Sequence, residues 1–407
     1  MKVLFTFGGL PHYYNYVLSR LNEVNNLSVY VAAPESVGET LGKGVFQSTE
    51  GINFNLIKTA EYKSWYGKAF LKNLPQIVDD IKPDVLVIIW PYVLSLILRP
   101  LFLYKLKKNR IKIIYKSIPF GVPEFKDGLL FRSDFVNEEG VLQKGLAYSI
   151  NIFFLTILRK IYLNLIDAHV NYIDDAYEIL GSYGVPKEKI FVTYNSPNTE
   201  ILFEAKNKAE KSDPILPENF YRLIHIGRLV KWKRVDLLIN AVLKLKNKYK
   251  NIELVIIGSG PEENNLKELA KTLNIDTSVR FIGPVYDNVI TGKYLMASSV
   301  YVLAGMGGLS INEAMAFGKP VICSVADGTE KKLVREGFNG KYFREGDLDD
   351  LVNVIGNLFN DKEKLNQMGI NSFSIIKNEV NINTVIDGYV KAFNYVTNNN
   401  YNLSRNL

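Results

Sequence analysis

The residues best suited to chemistry lie in one stretch, Leu303 to Cys323, which reads LAGMGGLSINEAMAFGKPVIC. Ser310, with Glu313 three residues later, has the spacing of a helix capping box. A glycine loop that leads from a strand into a helix is a favourable anion site. Alternatively, Glu313 only completes the capping box and does not contact a ligand. Three glycines in the loop would let backbone amides approach a ligand closely: Gly305, Gly307 and Gly308.

A second group of candidate residues is basic. Arg228 and Lys233 stand five positions apart in GRLVKWKR, beside Gly227. A forked guanidinium and a flexible ammonium suit a diphosphate, which carries charge on two centres. A single arginine or lysine is usually solvated surface, but this pair beside a glycine turn favours phosphate binding.

The composition bounds the class of protein. The chain has 407 residues, of which 47% are hydrophobic, and this length predicts two or three domains. Its net charge of +7 suits phosphate ligands or an acidic membrane surface, or has no specific meaning. The single cysteine, Cys323, lies in an apolar run, excludes an intrachain disulfide and fits a reducing compartment.

Neither a secretion signal nor a membrane-spanning segment is predicted. The N-terminus shows no signal-peptide pattern, and no uninterrupted apolar run reaches about 18 residues. We therefore expect a cytoplasmic protein without a transmembrane helix. We expect no nucleic-acid partner.

Apolar runs alternate with helical patterns along the chain, as in α/β proteins with parallel sheets. In the first half, a strand over Lys2–Phe7 is followed by Gly8 and Gly9 and by a helix from His12 to Glu23. The G-x-G-x-x-G dinucleotide fingerprint is absent. Further strands are predicted at 28–32, 53–57, 84–90, 111–116, 167–173 and 189–194.

The second half repeats this organisation. Strands are predicted at 222–226, 252–257, 279–282, 300–304 and 321–323. Residues 195–218 lose periodicity, so we predict a first domain over 1–200, a linker over 201–218 and a second domain over 219–380. In doubly wound folds, ligands bind at the carboxyl ends of strands. Three glycine loops fall there: Gly227–Arg228, Gly258–Glu262 and Gly305–Ser310.

Two segments of the first half interrupt the alternation. Residues 117–140 form a long loop of the kind that often carries function. Residues 145–166 form an unusually apolar helix, and residues 99–116 carry seven basic residues among apolar ones. These segments either form a face that lies on an anionic bilayer or are a buried helix beside a solvated one.

Several stretches resemble the retaining, nucleotide-sugar-dependent family 4 of the GT-B glycosyltransferases. These are GRLVKWKRVDLLINAV (Gly227–Val242), IGSGPEENNLKELA (Ile257–Ala270), VRFIGPV (Val279–Val285) and GGLSINEAMAFGKPVI (Gly307–Ile322), preceded by GVPKEKIFVTYN (Gly184–Asn195). The resemblance implies two Rossmann-like domains that face each other across a cleft. It also implies that a final helix, 381–398, crosses back to the first domain.

The resemblance also implies roles for individual residues. Arg228 and Lys233 would hold the diphosphate of the donor, and Glu313 would bind its ribose; these three form the predicted catalytic set. Gly8 and Gly9 would close over the diphosphate from the first domain. The remaining donor-binding residues would line the phosphates, the ribose and the base: Gly227, Gly258, Ile282, Gly305, Gly307, Gly308, Leu309 and Ser310.

The chain departs from the family at two places. Most members carry a glutamate eight positions before Glu313, where this chain has Gly305. Many members also place a histidine in the loop after the fourth strand of the first domain, which here reads KSIPFGVPEF. On the acceptor side we therefore consider His12, Ser117 and Phe120. His169 and His225 lie in apolar strands and are interpreted as structural.

No cofactor or metal is expected, because positive side chains would stabilise the leaving diphosphate. Asp347-Leu348-Asp349 superficially resembles a metal-binding D-x-D motif but reads as a helix cap. The predicted function is transfer of a sugar from a nucleotide sugar to a glycan or lipid-linked acceptor, with retention. The alternatives are a nucleotide-dependent epimerase or oxidoreductase of the same plan, and a donor-binding subunit without catalysis.

Overall fold

The computed structural model describes residues 1–35, 47–64, 67–119, 122–130, 135–136, 142–143, 145–325 and 328–398. The chain divides into two compact units. The first comprises Met1–Asp134, Lys144–Tyr194 and Asn383–Leu407, and the second comprises Phe135–Gln143 and Asn195–Ile382.

The first unit is built on a parallel sheet, which has seven strands in the described part of the chain. They are β1 (Lys2–Thr6), β2 (Ser28–Pro34), β3 (Asn55–Thr59), β4 (Val85–Ile88), β5 (Lys112–Ser117), β6 (Ala168–Asn171) and β7 (Ile190–Val192). Their order is β7-β6-β5-β4-β1-β2-β3, and all neighbours are parallel. The order reverses between β1 and β4, which is the position where ligands of doubly wound sheets bind.

The helices of the first unit connect these strands. They are α1 (His12–Asn22), α2 (Leu74–Ile81), α3 (Ser95–Leu98), α4 (Pro100–Lys108), α5 (Phe125–Leu129), α6 (Leu146–Leu165) and α7 (Ala176–Ser182). An antiparallel hairpin in the first unit pairs Glu61–Lys63 with Ala69–Leu71, and one assigned to the second unit pairs Phe135–Val136 with Leu142–Gln143. The central strands are apolar and buried because helices cover the sheet.

The second unit contains the other parallel sheet. Its strands in the described residues are β8 (Arg222–Ile226), β9 (Glu253–Ile257), β10 (Val279–Gly283), β11 (Val300–Leu303), β12 (Val321–Cys323) and β13 (Gly340–Tyr342). Their order is β10-β9-β8-β11-β12-β13, again parallel throughout. The strand order reverses between β8 and β11.

The helices of the second unit complete the alternation. They are α8 (Thr199–Glu210), α9 (Val235–Lys246), α10 (Glu263–Thr272), α11 (Asn288–Met296), α12 (Ser310–Ala316), α13 (Thr329–Leu333), α14 (Leu348–Phe359) and α15 (Lys362–Asn378). Cys323 is buried in the core, as predicted.

The last helix, α16 (Ile382–Thr397), belongs from Asn383 onwards to the first unit. Tyr389 and Phe393 place their rings 5.9 and 6.3 Å from the ring of Phe5 on β1. The hydroxyls of Tyr389 and Tyr14 form a short hydrogen bond. The predicted return of the last helix to the first domain is confirmed.

Every strand predicted from the sequence is present, but the predicted linker differs. The segment 201–218 is helical as far as Glu210, because α8 begins at Thr199. The Asn198 side chain caps this helix by accepting from the amide of Ile201. Its buried residues, Leu202, Ala205 and Ala209, follow a helical spacing that the surrounding lysines and glutamates obscure.

Helix α6 is, by length and composition alone, long and apolar enough to cross a membrane, and 22% of its most apolar window is buried. The expectation of no transmembrane helix rested on the absence of an uninterrupted apolar run of about 18 residues, and it stays a prediction. Isolated Asn, Thr, Arg and Lys residues break the run without lowering its mean hydropathy below the range of membrane spans.

Candidate functional site

Three glycine loops of the second unit follow strands β8, β9 and β11, as predicted. Gly227 and Arg228 follow β8, Gly258 follows β9, and the loop from Gly305 follows β11. Because β8 and β11 are neighbours on either side of the reversal in strand order, their loops meet at the carboxyl edge of the sheet.

The loops after β8 and β9 approach each other backbone to backbone. A Cβ atom at Gly258 would lie 1.9 Å from the carbonyl oxygen of Gly227, and the backbone of Gly258 has φ +136°. The amide of Leu229 donates to the Ser259 carbonyl at 2.9 Å. These contacts require glycine at position 258, since any side chain would force the loops apart.

Lys233 joins the loops after β8 and β11. It closes a short 3-10 helix, Lys231–Lys233, and only 7% of the residue is exposed. Its ammonium donates to the carbonyl of Met306 at 2.7 Å and also to that of Gly307. A Cβ at Gly308 would lie 3.3 Å from the same Nζ atom. The ammonium therefore fixes the backbone of the predicted phosphate loop.

Gly305 lies against the backbone of Trp232. A Cβ atom at position 305 would stand 2.0 Å from the Trp232 carbonyl oxygen, which also accepts from the Met306 amide at 3.0 Å. The glutamate that the family resemblance leads us to expect at this position has no space in this arrangement. The substitution is therefore accompanied by a close packing of two loops.

The predicted capping box is absent. Helix α12 begins at Ser310 itself, Leu309 occupies the N-cap position, and no side chain caps this end. The Ser310 hydroxyl instead accepts from the Tyr301 hydroxyl at 2.7 Å. Tyr301 on β11 is fully buried, so its hydroxyl needs a partner, and Ser310 supplies one.

Glu313 lies one turn further along α12, and its amide donates to the Leu309 carbonyl at 3.1 Å. Desolvation raises the pKa of its carboxyl to about 7. A carboxyl with this pKa in a loop cluster is typical of functional positions, because desolvation costs stability unless a ligand compensates. The geometry leaves the carboxylate free of a capping role.

The other predicted donor-binding residues of the second unit lie around this cluster. The Arg228 guanidinium lies over the Trp232 ring, 5.5 Å from its centroid. Ile282 is a residue of β10, and the carbonyl of its neighbour Gly283 accepts from the Gly258 amide at 2.9 Å. Arg228 and Ile282 are both partly buried.

The remaining predicted residues belong to the first unit. Gly8 and Gly9 follow β1 and are buried, whereas His12 opens α1 and is exposed. Ser117 ends β5, and its hydroxyl donates to Oδ1 of Asn171 at 2.9 Å. Phe120 lies outside the described residues.

Sequence reasoning missed Lys116, the residue before Ser117. Its Nζ lies 4.6 Å from the ring centroid of Tyr14, 4.5 Å from that of Tyr172 and 5.5 Å from that of Phe7. Burial among these rings lowers the pKa of the Lys116 amine to about 7. A lysine that ends the otherwise apolar run IKIIYK was the only sequence signal.

His169 and His225 lie fully buried in strands β6 and β8. Desolvation lowers the pKa of His169 to about 3 and that of His225 to about 4. His225 Nδ1 lies 3.1 Å from the Val302 carbonyl oxygen. Both rings are neutral at neutral pH, as expected for structural residues.

Within the described ranges, no group of three or more His, Cys, Asp or Glu residues is placed to hold a metal ion. Asp347, from the D-x-D-like segment, caps helix α14 by accepting from the Asp350 amide at 2.9 Å. Its interpretation as a helix cap is confirmed.

The loop contact at Gly305 predicts a stability effect. Gly305→Ala should lower the free energy of unfolding by about 1–3 kcal/mol, and Gly305→Glu by more, because the added atoms overlap the Trp232 carbonyl. Urea unfolding of the full chain measures this. Gly356→Ala, within α14, is the matched control, since the added Cβ atom would meet only ordinary contacts at 3.9 Å. Equal stability of Gly305→Ala and wild type would contradict the packing.

The lowered pKa of Lys116 predicts a pH dependence. Between pH 7 and the ordinary pKa of 10.5, the unfolded chain binds the proton that the folded chain has lost. This residue therefore adds stability as pH rises through that window, by up to about 1.4 kcal/mol per unit.

Lys116→Met should be more stable than wild type at pH 7, and the difference should shrink towards pH 9.5. Unfolding curves at several pH values measure it, with the exposed Lys108→Met as control. A constant difference across this range would show that the amine titrates normally.

Comparison with known proteins agrees with this architecture. Residues 206–374 match the family model "Glycosyl transferases group 1". An uncharacterized glycosyltransferase of Haemophilus influenzae is 34% identical over 185 residues, which are 45% of this chain and 49% of that protein. The lipopolysaccharide core biosynthesis glycosyltransferase LpsE of Rhizobium meliloti is 27% identical over 172 residues, 42% of this chain and 48% of LpsE.

The chain spans about half the length of these curated relatives. Among solved structures, Anabaena HepE in complex with UDP aligns with a TM-score of 0.66 at 16% identity, covering 97% of this chain and 99% of HepE. At this identity the likeness concerns the fold. Residues 206–374 are therefore similar to the group 1 glycosyl transferases, and the two units have the fold of the GT-B glycosyltransferases.

Proposed function

We propose that this protein transfers a sugar from a nucleoside-diphosphate sugar to a glycan or lipid-linked saccharide, with retention of anomeric configuration. The observation that carries the proposal is the meeting of Arg228, Lys233 and the glycine loops at the switch point of the second sheet. Backbone amides and two cationic side chains gathered at one edge are suited to a diphosphate. The similarity to HepE, which is solved in complex with UDP, and to the lipopolysaccharide core glycosyltransferase LpsE supports this donor class and a role in surface polysaccharide or glycoconjugate synthesis.

In this proposal the second unit binds the nucleotide. Arg228 pairs with the diphosphate, and Lys233 holds the loop of Gly307 and Gly308 so that the amides around Leu309 and Ser310 reach it. The Glu313 carboxylate accepts hydrogen bonds from the ribose hydroxyls. Ile282 lies beside the base.

The reaction follows from this charge distribution. The bond between the anomeric carbon and the diphosphate oxygen breaks, and the acceptor oxygen forms its bond on the same face of the sugar. The acceptor proton passes to the departing phosphate oxygen, so no carboxylate nucleophile is needed. Arg228 and the amides stabilise the negative charge that grows on the leaving group, and we propose that no metal is required.

The acceptor side is assigned to the carboxyl edge of the first sheet. His12 and Ser117 lie there, and Phe120 follows in the chain. The Nδ2 atom of Asn171, which adjoins Ser117, is buried and has no hydrogen-bond partner in the described part of the chain. An acceptor hydroxyl near this edge would supply one. We place the reaction in the cytoplasm, consistent with the single buried cysteine.

A second candidate rests on Gly305. The missing carboxylate and the closed contact with Trp232 favour a subunit that binds the donor without turning it over. The two candidates differ in one measurement. Nucleoside diphosphate release from a nucleotide sugar is measured with and without added acceptor. Only an enzyme releases it, whereas a donor-binding subunit does not.

Arg228 tests the donor site directly. In a thermal-shift screen of nucleoside diphosphates and nucleotide sugars in EDTA, the best ligand should raise the melting temperature of the wild type. Arg228→Ala should weaken its affinity about tenfold to a hundredfold, because a charged hydrogen bond is lost.

The matched control is Lys271→Ala, an exposed cation on α10 of the same unit. Lys233→Ala should also lose the shift, with a lower melting temperature because its loop is released. If Arg228→Ala and Lys233→Ala both keep the full shift, the diphosphate assignment is wrong.

Glu313 predicts a pH dependence of binding. The ionised carboxylate accepts ribose hydrogen bonds, so affinity for a nucleotide sugar should rise as pH increases through about 7. A nucleotide sugar is the better probe because its diphosphate diester does not titrate there. Calorimetric titration should show this rise for wild type and a weaker, flat affinity for Glu313→Gln. The same slope in both proteins would exclude Glu313 as its source.

A further inference from the structure

Helix α6 of the first unit carries an exposed ridge of large apolar side chains. They recur at intervals of four, four, three and four residues, so they lie on one face of the helix. Leu146 is 76% exposed and Phe154 is 60% exposed. We call the set the apolar ridge: Leu146, Ile150, Phe154, Ile157 and Ile161.

The opposite face of α6 is held by the unit. Ile152, Thr156 and Tyr162 are buried. The Lys160 ammonium lies 4.2 Å from the centroid of the Phe125 ring on α5. The helix also connects β5 to β6, which are paired strands of the sheet. With one face packed and its C-terminal end leading directly into β6, α6 is placed to lie in an interface rather than to span a bilayer.

Helix α4 presents further apolar residues on the same side of the sheet. It connects β4 to β5, and α6 continues from β5 to β6 in the same direction, so right-handed crossovers place both helices on one face. Lys107 Nζ donates to the Leu165 carbonyl at 3.3 Å, which joins their C-terminal ends. Leu101 and Tyr104 of α4 are 82% and 65% exposed, and Leu98 at the end of α3 is 50% exposed.

The charge on this side is basic. Residues 85–123 contain no Asp or Glu and seven Lys or Arg, and residues 141–166 contain no Asp or Glu and three Lys or Arg. Lys107, Lys108 and Arg110 at the end of α4 are exposed. Apolar side chains bordered by cations match the two layers of an anionic membrane surface, acyl chains beneath negative headgroups.

We propose that the apolar ridge, with Leu98, Leu101 and Tyr104, docks the first unit onto an anionic lipid bilayer with α6 lying in the plane of the interface. The ridge enters the boundary between headgroups and acyl chains, and the basic end of α4 binds the headgroups. This surface is made by helices and is separate from the strand ends that the proposed transfer uses. The proposal stands independently of the donor assignment.

Co-sedimentation of the full chain with lipid vesicles tests it. Wild type should bind vesicles of phosphatidylcholine with phosphatidylglycerol, bind phosphatidylcholine alone more weakly, and dissociate as salt increases. Phe154→Glu and Lys108→Glu should each lower the partition coefficient about tenfold, through the apolar and the electrostatic contribution respectively. An alkaline carbonate wash should release wild type.

Two matched controls lie in the second unit. Ile370→Glu replaces a residue of similar exposure, 62% against 60% for Phe154, and Lys271→Glu reverses an exposed charge. Both should bind vesicles as wild type does. Circular dichroism and the nucleotide thermal shift report whether each variant is folded and whether its donor site is intact, so a failure here is distinguishable from a failure of the proposed function.

Four results would overturn the proposal. Wild type could remain in the supernatant with anionic vesicles at low salt, or Phe154→Glu and Lys108→Glu could bind as well as their controls. Self-association of wild type that Phe154→Glu abolishes, without vesicle binding, would assign the ridge to a second copy of this chain. Retention of wild type after the carbonate wash would contradict the in-plane orientation.

Discussion

The second unit depends on one buried ammonium. Lys233 binds the carbonyls of Met306 and Gly307, and its own backbone neighbour, the Trp232 carbonyl, accepts from the Met306 amide. These bonds hold the loop after β11 against the loop after β8. Because a buried charge is costly unless its hydrogen bonds are satisfied, the loops cannot separate without exposing or orphaning the ammonium. The position of α12, and with it Ser310 and Glu313, follows from this contact.

The same contact explains the glycine at position 305, where the family resemblance leads us to expect a glutamate. Close approach of the two loops requires a residue without a side chain at position 305, so Gly305 and the packing of Trp232 are one feature rather than two. In the proposed function, donor recognition then relies on Arg228, the loop amides and Glu313. The raised pKa of Glu313 fits that reliance, since desolvation keeps its carboxyl poised for a partner.

The first unit separates its surfaces by topology. The carboxyl edge of its sheet carries Gly8, Gly9, Ser117 and the Lys116 amine among aromatic rings. The helical face carries the apolar ridge and the basic end of α4. A parallel sheet produces this separation naturally, because strand ends and crossover helices lie on different sides of the unit. The proposed transfer to a lipid-linked acceptor would use both surfaces, one for binding the substrate and one for the bilayer.

The sequence alone determined the α/β class and the positions of the predicted strands in both parallel sheets. It also determined which residues meet where the strand order of the second sheet reverses. Continuous apolar runs and glycine spacing are local signals, and parallel topology brings strand ends together whatever the intervening residues are. Two elements with weak sequence signals were not predicted. Strand β13 has only three residues, and the buried face of α8 is obscured by the surrounding lysines and glutamates.

Only the tertiary structure decided what individual side chains do. The spacing of Ser310 and Glu313 predicted a capping box, but the buried Tyr301 hydroxyl takes Ser310 as its acceptor. The sequence shows Lys116 only as a lysine at the end of a strand, whereas the structure surrounds its amine with the rings of Phe7, Tyr14 and Tyr172. The space at Gly305 depends on Trp232, more than 70 positions away. Hydrogen-bond partners and desolvation arise from residues distant in the chain, so no local pattern could have specified them.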